Sequence, residues 1–233
     1  MAESSTAFRL PLLQWLSIPG GEVTVEGGAG TFEVKPFQIA KYPVTNEQFN
    51  AFIQDDGYKN MGWWQGLTQT GGSPRASDWR DLDAPKLEVT WFEAVAFTQW
   101  LANQTNLNVR LPTEWEWQWA AVGDSGWDYP YGGTFDPIKC NTKESAIGRT
   151  NAVTVNEPVK THFGAVDMAG NVWEWCLNEG AELHNIQREG MENRALRGGS
   201  WNNAAKNACA TFRSHRTPRT RAFNIGFRVM IEG

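Results

Sequence analysis

The sequence predicts an α+β fold in which a few helices pack with small antiparallel sheets and much of the chain is ordered loop. Three observations carry this expectation. Three T-x-x-E/Q stretches have the form of helix-opening capping boxes, and short apolar or alternating runs are broken by glycine. Long stretches rich in Gly, Pro, Asn, Asp, Ser and Thr show little periodicity.

The elements follow in order. Val23-Thr24-Val25 and Phe37-Gln38-Ile39 read as short strands. Thr45-Asn46-Glu47-Gln48, Thr90-Trp91-Phe92-Glu93 and Thr113-Glu114-Trp115-Glu116 place a hydroxyl and a carboxyl or amide where each satisfies an unpaired backbone N–H, so helices should start near 46, 91 and 114. Pro43 and Pro112 discourage earlier starts, and Phe49, Phe52 and Ile53, like Val95, Phe97 and Leu101, suit amphipathic helices. Further strands are expected at Val172-Trp173-Glu174-Trp175, Ala195-Leu196-Arg197 and Gly226-Phe227-Arg228-Val229. Residues 55–83 and 123–160 should be ordered loops pinned by tryptophans.

A chain of 233 residues can bury about three-quarters of its unfolded surface as one domain, taken as 1–233, with residues 1–10 expected to be disordered. No apolar run approaches the ~18 residues of a membrane-spanning helix, and no signal-peptide pattern opens the chain, so neither membrane insertion nor classical secretion is expected. Cys140, Cys176 and Cys209 are widely spaced, which argues against a disulfide framework or a zinc cage and for a cytoplasmic setting. The net charge of −5 hides an asymmetry: residues 194–233 hold eight Lys/Arg against one acid, whereas the chain before them holds thirteen against twenty-five. A basic segment of this kind is either a footprint for nucleic acid or an acidic partner, or a segment folded against its own acidic body.

Five motifs carry a resemblance: 42–49 (YPVTNEQF), 110–117 (RLPTEWEW), 167–175 (DMAGNVWEW), 197–201 (RGGSW) and 224–229 (NIGFRV). In this order they resemble the formylglycine-generating-enzyme (sulfatase-modifying factor) family, from about residue 15 to the end. The resemblance implies a C-type-lectin-like fold. The family's oxidase binds copper through two cysteines, one shortly after the Gly-Gly-Ser-aromatic motif; here Asn203 stands at that place and only Cys209 lies nearby. A branch that makes sulfoxides uses an iron centre held by several histidines, but His162, His184 and His215 have no ligand-like spacing.

The C-terminal segment resembles a narrower subgroup, the variable proteins of diversity-generating retroelements, whose selected codons are rewritten at adenines. Residues 198–229 follow that subgroup's frame and constitute the expected variable ligand-binding region. Within it Ala204, Cys209, Phe212, Ser214, His215, Arg216, Thr217, Arg219, Thr220, Ala222 and Phe223 are the expected ligand-binding residues, each of a type reachable from an asparagine codon by adenine substitution. Independently of the resemblance, residues 202–224 mix aromatic anchors, the arginines 213, 216, 219 and 221, and small polar groups without helical or strand periodicity, which is the composition of a paratope. The alternative is an ordinary loop whose phenylalanines turn inward.

Asn171, Val172 and Glu174 offer oxygen donors at positions where the oxidase family binds calcium, provided that the chain turns sharply at Gly170; loop-bracing hydrogen bonds are the alternative. Glu114 and Glu116 sit two apart in a first helical turn and read as structural. Asp55-Asp56, Asp81 and Asp83 lack a partner base, and the glycine-rich stretches lack a phosphate-binding context. The reading is therefore a non-catalytic binding protein that requires no cofactor, with calcium as the one ion its residues would admit. Its partner would be a protein or cell-surface ligand held by the C-terminal face. The other readings are a copper-dependent formylglycine-generating oxidase and, less favoured, a binder of nucleic acid or acidic surfaces.

Overall fold

A computed structural model describes residues 12–27 and 30–233. Residues 1–10, where disorder is expected, lie outside them. In chain order the elements are β1 (Trp15–Ile18), β2 (Gly21–Val25), β3 (Gly30–Val34), β4 (Phe37–Ala40), α1 (Asn46–Gln54), α2 (Trp91–Thr105), β5 (Val109–Arg110), α3 (Glu114–Val122), β6 (Trp173–Glu179), β7 (Arg194–Arg197), β8 (Ser214–Arg216), β9 (Ile225–Phe227) and β10 (Met230–Glu232). They form a sheet of order β1-β4-β10-β5, the hairpin β2-β3, and a sheet of order β8-β7-β6-β9. One pairing departs from the expected antiparallel pattern: β6 and β9 run parallel, Trp173 opposite Ile225. Among the described residues no helix is long and apolar enough to cross a membrane.

All three helices start at the expected capping boxes, with Thr45, Thr90 and Thr113 accepting from Gln48, Glu93 and Glu116 backbone N–H groups and the N3 side chains reaching back. Only α1 is amphipathic as expected. The first part of α2 is buried almost all round, from Trp91 through Thr98 and again at Trp100 and Leu101, and α3 is buried from Trp117 to Val122. The β2-β3 hairpin and strands β6 and β7 pack around α3, and α1, β5 and the helical turn at 61–64 pack around α2, which is why hydrophobic residues surround both helices. The loop 55–83 is pinned as expected, by the Trp64 indole donating to the Gly57 carbonyl at 2.9 Å. The loop 123–160 is pinned instead by Tyr129, Tyr131, Phe135 and Cys140, while Trp127 stays exposed.

Strand β6 divides two apolar clusters. Trp173, Trp175 and Leu177 face α1, α2 and β9, while Cys176 joins the cluster of α3, β2, β3 and β4. Period-two alternation sends Glu174 to the side opposite the tryptophans, as the sequence implies, into a fully buried position. There its carboxylate accepts from the Trp117 indole at 2.7 Å and from Arg228 Nε and Nη2 at 3.0 and 2.8 Å. The remaining Arg228 N–H groups donate to the carbonyls of Ala40, Lys41 and Val166 at 2.9, 2.7 and 2.7 Å. Every donor of the guanidinium is thus used.

A buried charge pair of this kind is costly to break from one side. Arg228→Met should lower unfolding stability in urea by about 3–5 kcal/mol, whereas Glu174→Met/Arg228→Met should lose no more than the single variant, because no lone charge remains buried. A second expectation concerns acid. Burial opposes ionisation of Glu116, but the Arg110 guanidinium gripping both its oxygens at 2.7 Å, with the Thr113 N–H, holds its carboxyl below the usual value. Its contribution is therefore present above about pH 4.5 and lost as pH falls through the depressed native value. Glu116→Gln should cost about 2 kcal/mol near neutrality, and the gap to the parent protein should close on acidification below pH 4.

Candidate ligand-binding site

The segment 198–229 leaves β7 through two glycines and returns in β9. Gly199 has φ of 73°, and a Cβ there would stand 2.8 Å from the Asn207 carbonyl oxygen, so a side chain is excluded by both conformation and space. Gly226 lies so close to the Lys86 carbonyl that a Cβ would approach it to 2.7 Å. These ends are scaffold.

Between the ends, inward arginines fasten the segment to buried carboxylates of the helices. Arg213 grips Glu114 of α3 with Nε and Nη2 at 2.9 and 2.8 Å and also donates to the Gly180 carbonyl. Arg221 donates to Glu93 of α2 at 2.7 Å and to the Ser73 carbonyl. At the start, buried Arg197 lies 3.7 Å from Glu114 and donates to the carbonyls of Ala210, Thr211 and Phe212. Arg213 and Arg221, expected among the paratope arginines, therefore belong to the anchorage, because Glu114 and Glu93 are buried too deeply to remain unpaired. The basic tail is thus in large part folded against its own acidic body. Arg228 pairs with Glu174 and Arg194 stacks 4.1 Å above the Trp91 ring, so only Lys206, Arg216 and Arg219 of its eight cations are exposed.

None of the eleven expected ligand-binding residues is buried. His215, Arg216, Thr217, Arg219 and Phe223 are exposed, and the other six are half-buried. A cleft of about 410 Å³ gathers Phe212, Ser214, His215, Arg216, Thr220 and Ala222, with Trp173, Leu196 and Ile225 as an apolar floor and the amides of Asn203, Asn207 and Asn224 around it. The other five lie apart from this lining. Thr217 shares a hydroxyl bond with Thr220 at 3.1 Å, Phe223 tilts against Trp201, and Arg219 points outward from the same turn region. Ala204 begins a single helical turn, and Cys209 packs against the tyrosine cluster with its thiol at the Tyr129 hydroxyl. The segment is not wholly irregular as expected, since β8 pairs with β7 and places Ser214, His215 and Arg216 on the cleft. Phe212 is half-turned inward, its ring 6.1 Å from that of Trp173.

The cleft also holds the residue that stands where the resemblance implies an oxidase cysteine. Asn203, at the place of the family's first cysteine, lines the cleft, and its Oδ1 accepts from the Trp173 indole and the Ser200 hydroxyl. Cys209 is not part of the lining. His162 and His184 lie beside Phe163 and Phe32, apart from His215. The residues expected to hold calcium are engaged with the protein itself. The chain does turn at Gly170 and Asn171, with φ of 79° and 63°. However, the Asn171 amide is taken up by Asp167, Asn151 and Asn141, Val172 is buried, and both Glu174 oxygens face Arg228 and Trp117. The Asn171 amide thus braces the loops around it, the alternative the sequence left open, and a guanidinium already neutralises the Glu174 carboxylate. The sequence missed Trp173, Leu196, Asn203, Asn207, Asn224 and Ile225 as cleft residues, although the alternation that puts Trp173 opposite Glu174 and the amide-rich Asn202-Asn203 and Asn224 positions were visible in it.

Comparison with known proteins agrees with this geometry. Residues 2–232 match the sulfatase-modifying factor enzyme 1-like domain. The chain is 29% identical over 250 residues to the inactive C-alpha-formylglycine-generating enzyme 2 of Mus musculus, an alignment covering 87% of this chain and 77% of that one. It is 28% identical over 264 residues to the formylglycine-generating enzyme of Thermomonospora curvata, covering 87% and 84%. Among solved structures, Treponema denticola variable protein 1 superposes with a TM-score of 0.72 at 21% identity over 94% of both chains. CarF superposes with a TM-score of 0.70 at 23% identity over 96% and 99%. At these identities the structures show a shared fold.

Glu114 is the buried group on which the anchorage of the cleft wall turns. Glu114→Gln leaves Arg197 and Arg213 without their counter-charge and should cost about 3 kcal/mol or more in unfolding stability. Limited proteolysis should then cut between residues 211 and 221 before the rest of the chain.

Proposed function

The chain belongs to the sulfatase-modifying factor enzyme family and has its C-type-lectin-like fold, and we propose that it is a non-catalytic ligand-binding protein whose C-terminal segment supplies the binding face. The observation that carries this reading is the division of labour within the segment. Arginines 197, 213, 221 and 228 turn inward onto Glu114, Glu93 and Glu174, while Ser214, His215, Arg216, Thr217, Arg219 and Thr220, around the buried Pro218, present polar side chains to a cleft or to solvent. A surface fastened in this way tolerates exchange of its outward side chains, which is what a variable binding face requires. The amide of Asn203 at the position of the oxidase thiol supports the same reading, because the soft Cu(I) ion that would engage a substrate cysteine is held by thiolate sulfur, which an amide does not supply. The name of the Mus musculus relative, an inactive member of the family, is compatible with it.

The frame of residues 198–229, and the likeness in fold to a protein named a variable protein, support diversification by a retroelement. The neighbouring DNA tests this. A near-copy of codons 200–229 differing at adenines, beside a reverse-transcriptase gene, is expected; its absence contradicts diversification while leaving the binding face to be tested by mutation.

The binding face itself is tested by stability. Replacing His215, Arg216, Thr217, Arg219 and Phe223 together by serine should cost about 2.5 kcal/mol or less in urea unfolding, since exposed substitutions change stability by about 0.5 kcal/mol or less each. A loss as large as that of Arg228→Met would put these side chains in the core and end the reading. In the same preparation, Cu(I) and a cysteine-containing sulfatase-type peptide should yield no aldehyde detectable by hydrazide labelling, whereas formylglycine formation would establish the oxidase.

A further inference from the structure

A second cavity, of about 230 Å³, shares no residue with the cleft. Asn46, Asn50 and Ile53, spaced four and three apart, give it one face of α1. The loop 74–80 adds Arg75 and Arg80, and the chain beyond it adds Lys86. No carboxylate belongs to the lining, although the protein as a whole is acidic.

Lys86 sets this cavity apart. It is 4% exposed, yet its ammonium forms no ion pair among the described residues. It donates to the Arg75 carbonyl at 2.5 Å and toward the Ser77 hydroxyl at 3.4 Å, and it lies 5.3 Å from the centre of the Phe49 ring. The acids that act on it are engaged elsewhere: Glu88 lies 3.4 Å from Arg75, and Glu93 accepts from Arg221, Tyr58 and the Thr90 N–H. Burial pushes the Lys86 amine down to about 8; Glu93 and Glu88 pull it up, and Arg221 adds to the fall. Arg80 is exposed and likewise forms no ion pair among the described residues. Asp78 and Asp81, its neighbours in the chain, are exposed and outside the lining. Arg75, Arg80, Lys86 and Arg221 thus outnumber Glu88 and Glu93 around one small space. A cation taken out of water is costly until a counter-charge reaches it.

We propose that this cavity binds a small organic anion, a carboxylate or a phosphate monoester on a small apolar group, with its charged head on Lys86 and Arg80 and its apolar part against Ile53 and Pro74. This goes beyond the binding-face reading, because no residue of 198–229 belongs to the site. The volume lies below the ~300 Å³ at which pockets for drug-sized ligands begin, so the occupant is a small molecule. The planar fork of Arg80 matches either oxyanion, and the amide of exposed Asn50 can donate to the head as well.

The test is to titrate the full chain with benzoate, phenyl phosphate and, as the neutral control, benzamide, following the Ile53 methyl and Asn50 side-chain amide signals by NMR. At least one anion should shift these signals saturably at millimolar concentration or below, and the tighter of the two identifies the head group. Benzamide should not. Binding should weaken as salt rises, and also as pH rises past about 8, where Lys86 loses the charge that the anion needs. Arg80→Glu, an exposed change that spares the fold, and Lys86→Met, which keeps the apolar stem, should each weaken the anion at least tenfold. If Lys86→Met fails to fold, Arg80→Glu alone decides. No saturable shift from either anion would overturn the proposal. So would benzamide binding as tightly as the anions, or anion binding that Arg80→Glu leaves unchanged.

Discussion

The buried pair between Glu174 and Arg228 is the constraint on which the rest of the structure depends. It joins β6 to the chain just after β9, and through Arg228 it reaches the carbonyls of Ala40 and Lys41 at the end of β4 and of Val166 in the loop before β6. The Trp117 indole adds α3 to the same carboxylate. A single ion pair therefore holds both four-stranded sheets, one helix and a long loop in register. Two charges removed from water are tolerated only because every guanidinium donor meets an acceptor. An apolar pair of the same volume could fill the space but could not hold three carbonyls from distant parts of the chain.

The same device recurs at Glu114 and Glu93, and its repetition explains how a long irregular segment keeps its shape. Residues 198–224 contain one three-residue strand and a single helical turn, too little regular structure to satisfy their own backbone. Arginine side chains take up the free carbonyls instead: Arg197 holds three of them within the segment. Because the fastening uses side chains that point inward, the outward side chains are released from structural duty. At the end of the Gly-Gly-Ser-Trp motif the segment carries an amide, Asn203, bonded to Trp173 and Ser200.

Local signals made much of this legible. A capping box depends on residues three apart, so Thr45, Thr90 and Thr113 located the helices, and period-two alternation at Trp173-Glu174-Trp175 put glutamate and tryptophan on opposite sides before any coordinates. What stayed hidden depends on distance in sequence. The partner of Arg213 is 99 residues away and that of Arg221 is 128 away, so nothing local separated these inward arginines from Arg216 and Arg219. Glu174 looked available for a cation for the same reason, its neutralising Arg228 being 54 residues further on. The burial of α2 on all sides was visible only as an excess of apolar residues, because the elements that cover it, α1, β5 and the helical turn at 61–64, meet it only in three dimensions.

The central claim is that the C-terminal segment is fastened at fixed points and free between them, and amide hydrogen exchange tests it residue by residue. The backbone N–H groups of β7 and β9 should exchange only through global unfolding, at the slowest rates in the protein, whereas those of residues 217–223 should exchange through local opening, faster by orders of magnitude. Slow exchange spread evenly from β7 through residues 217–223 to β9 would show the whole segment to be part of the core, and would contradict the account.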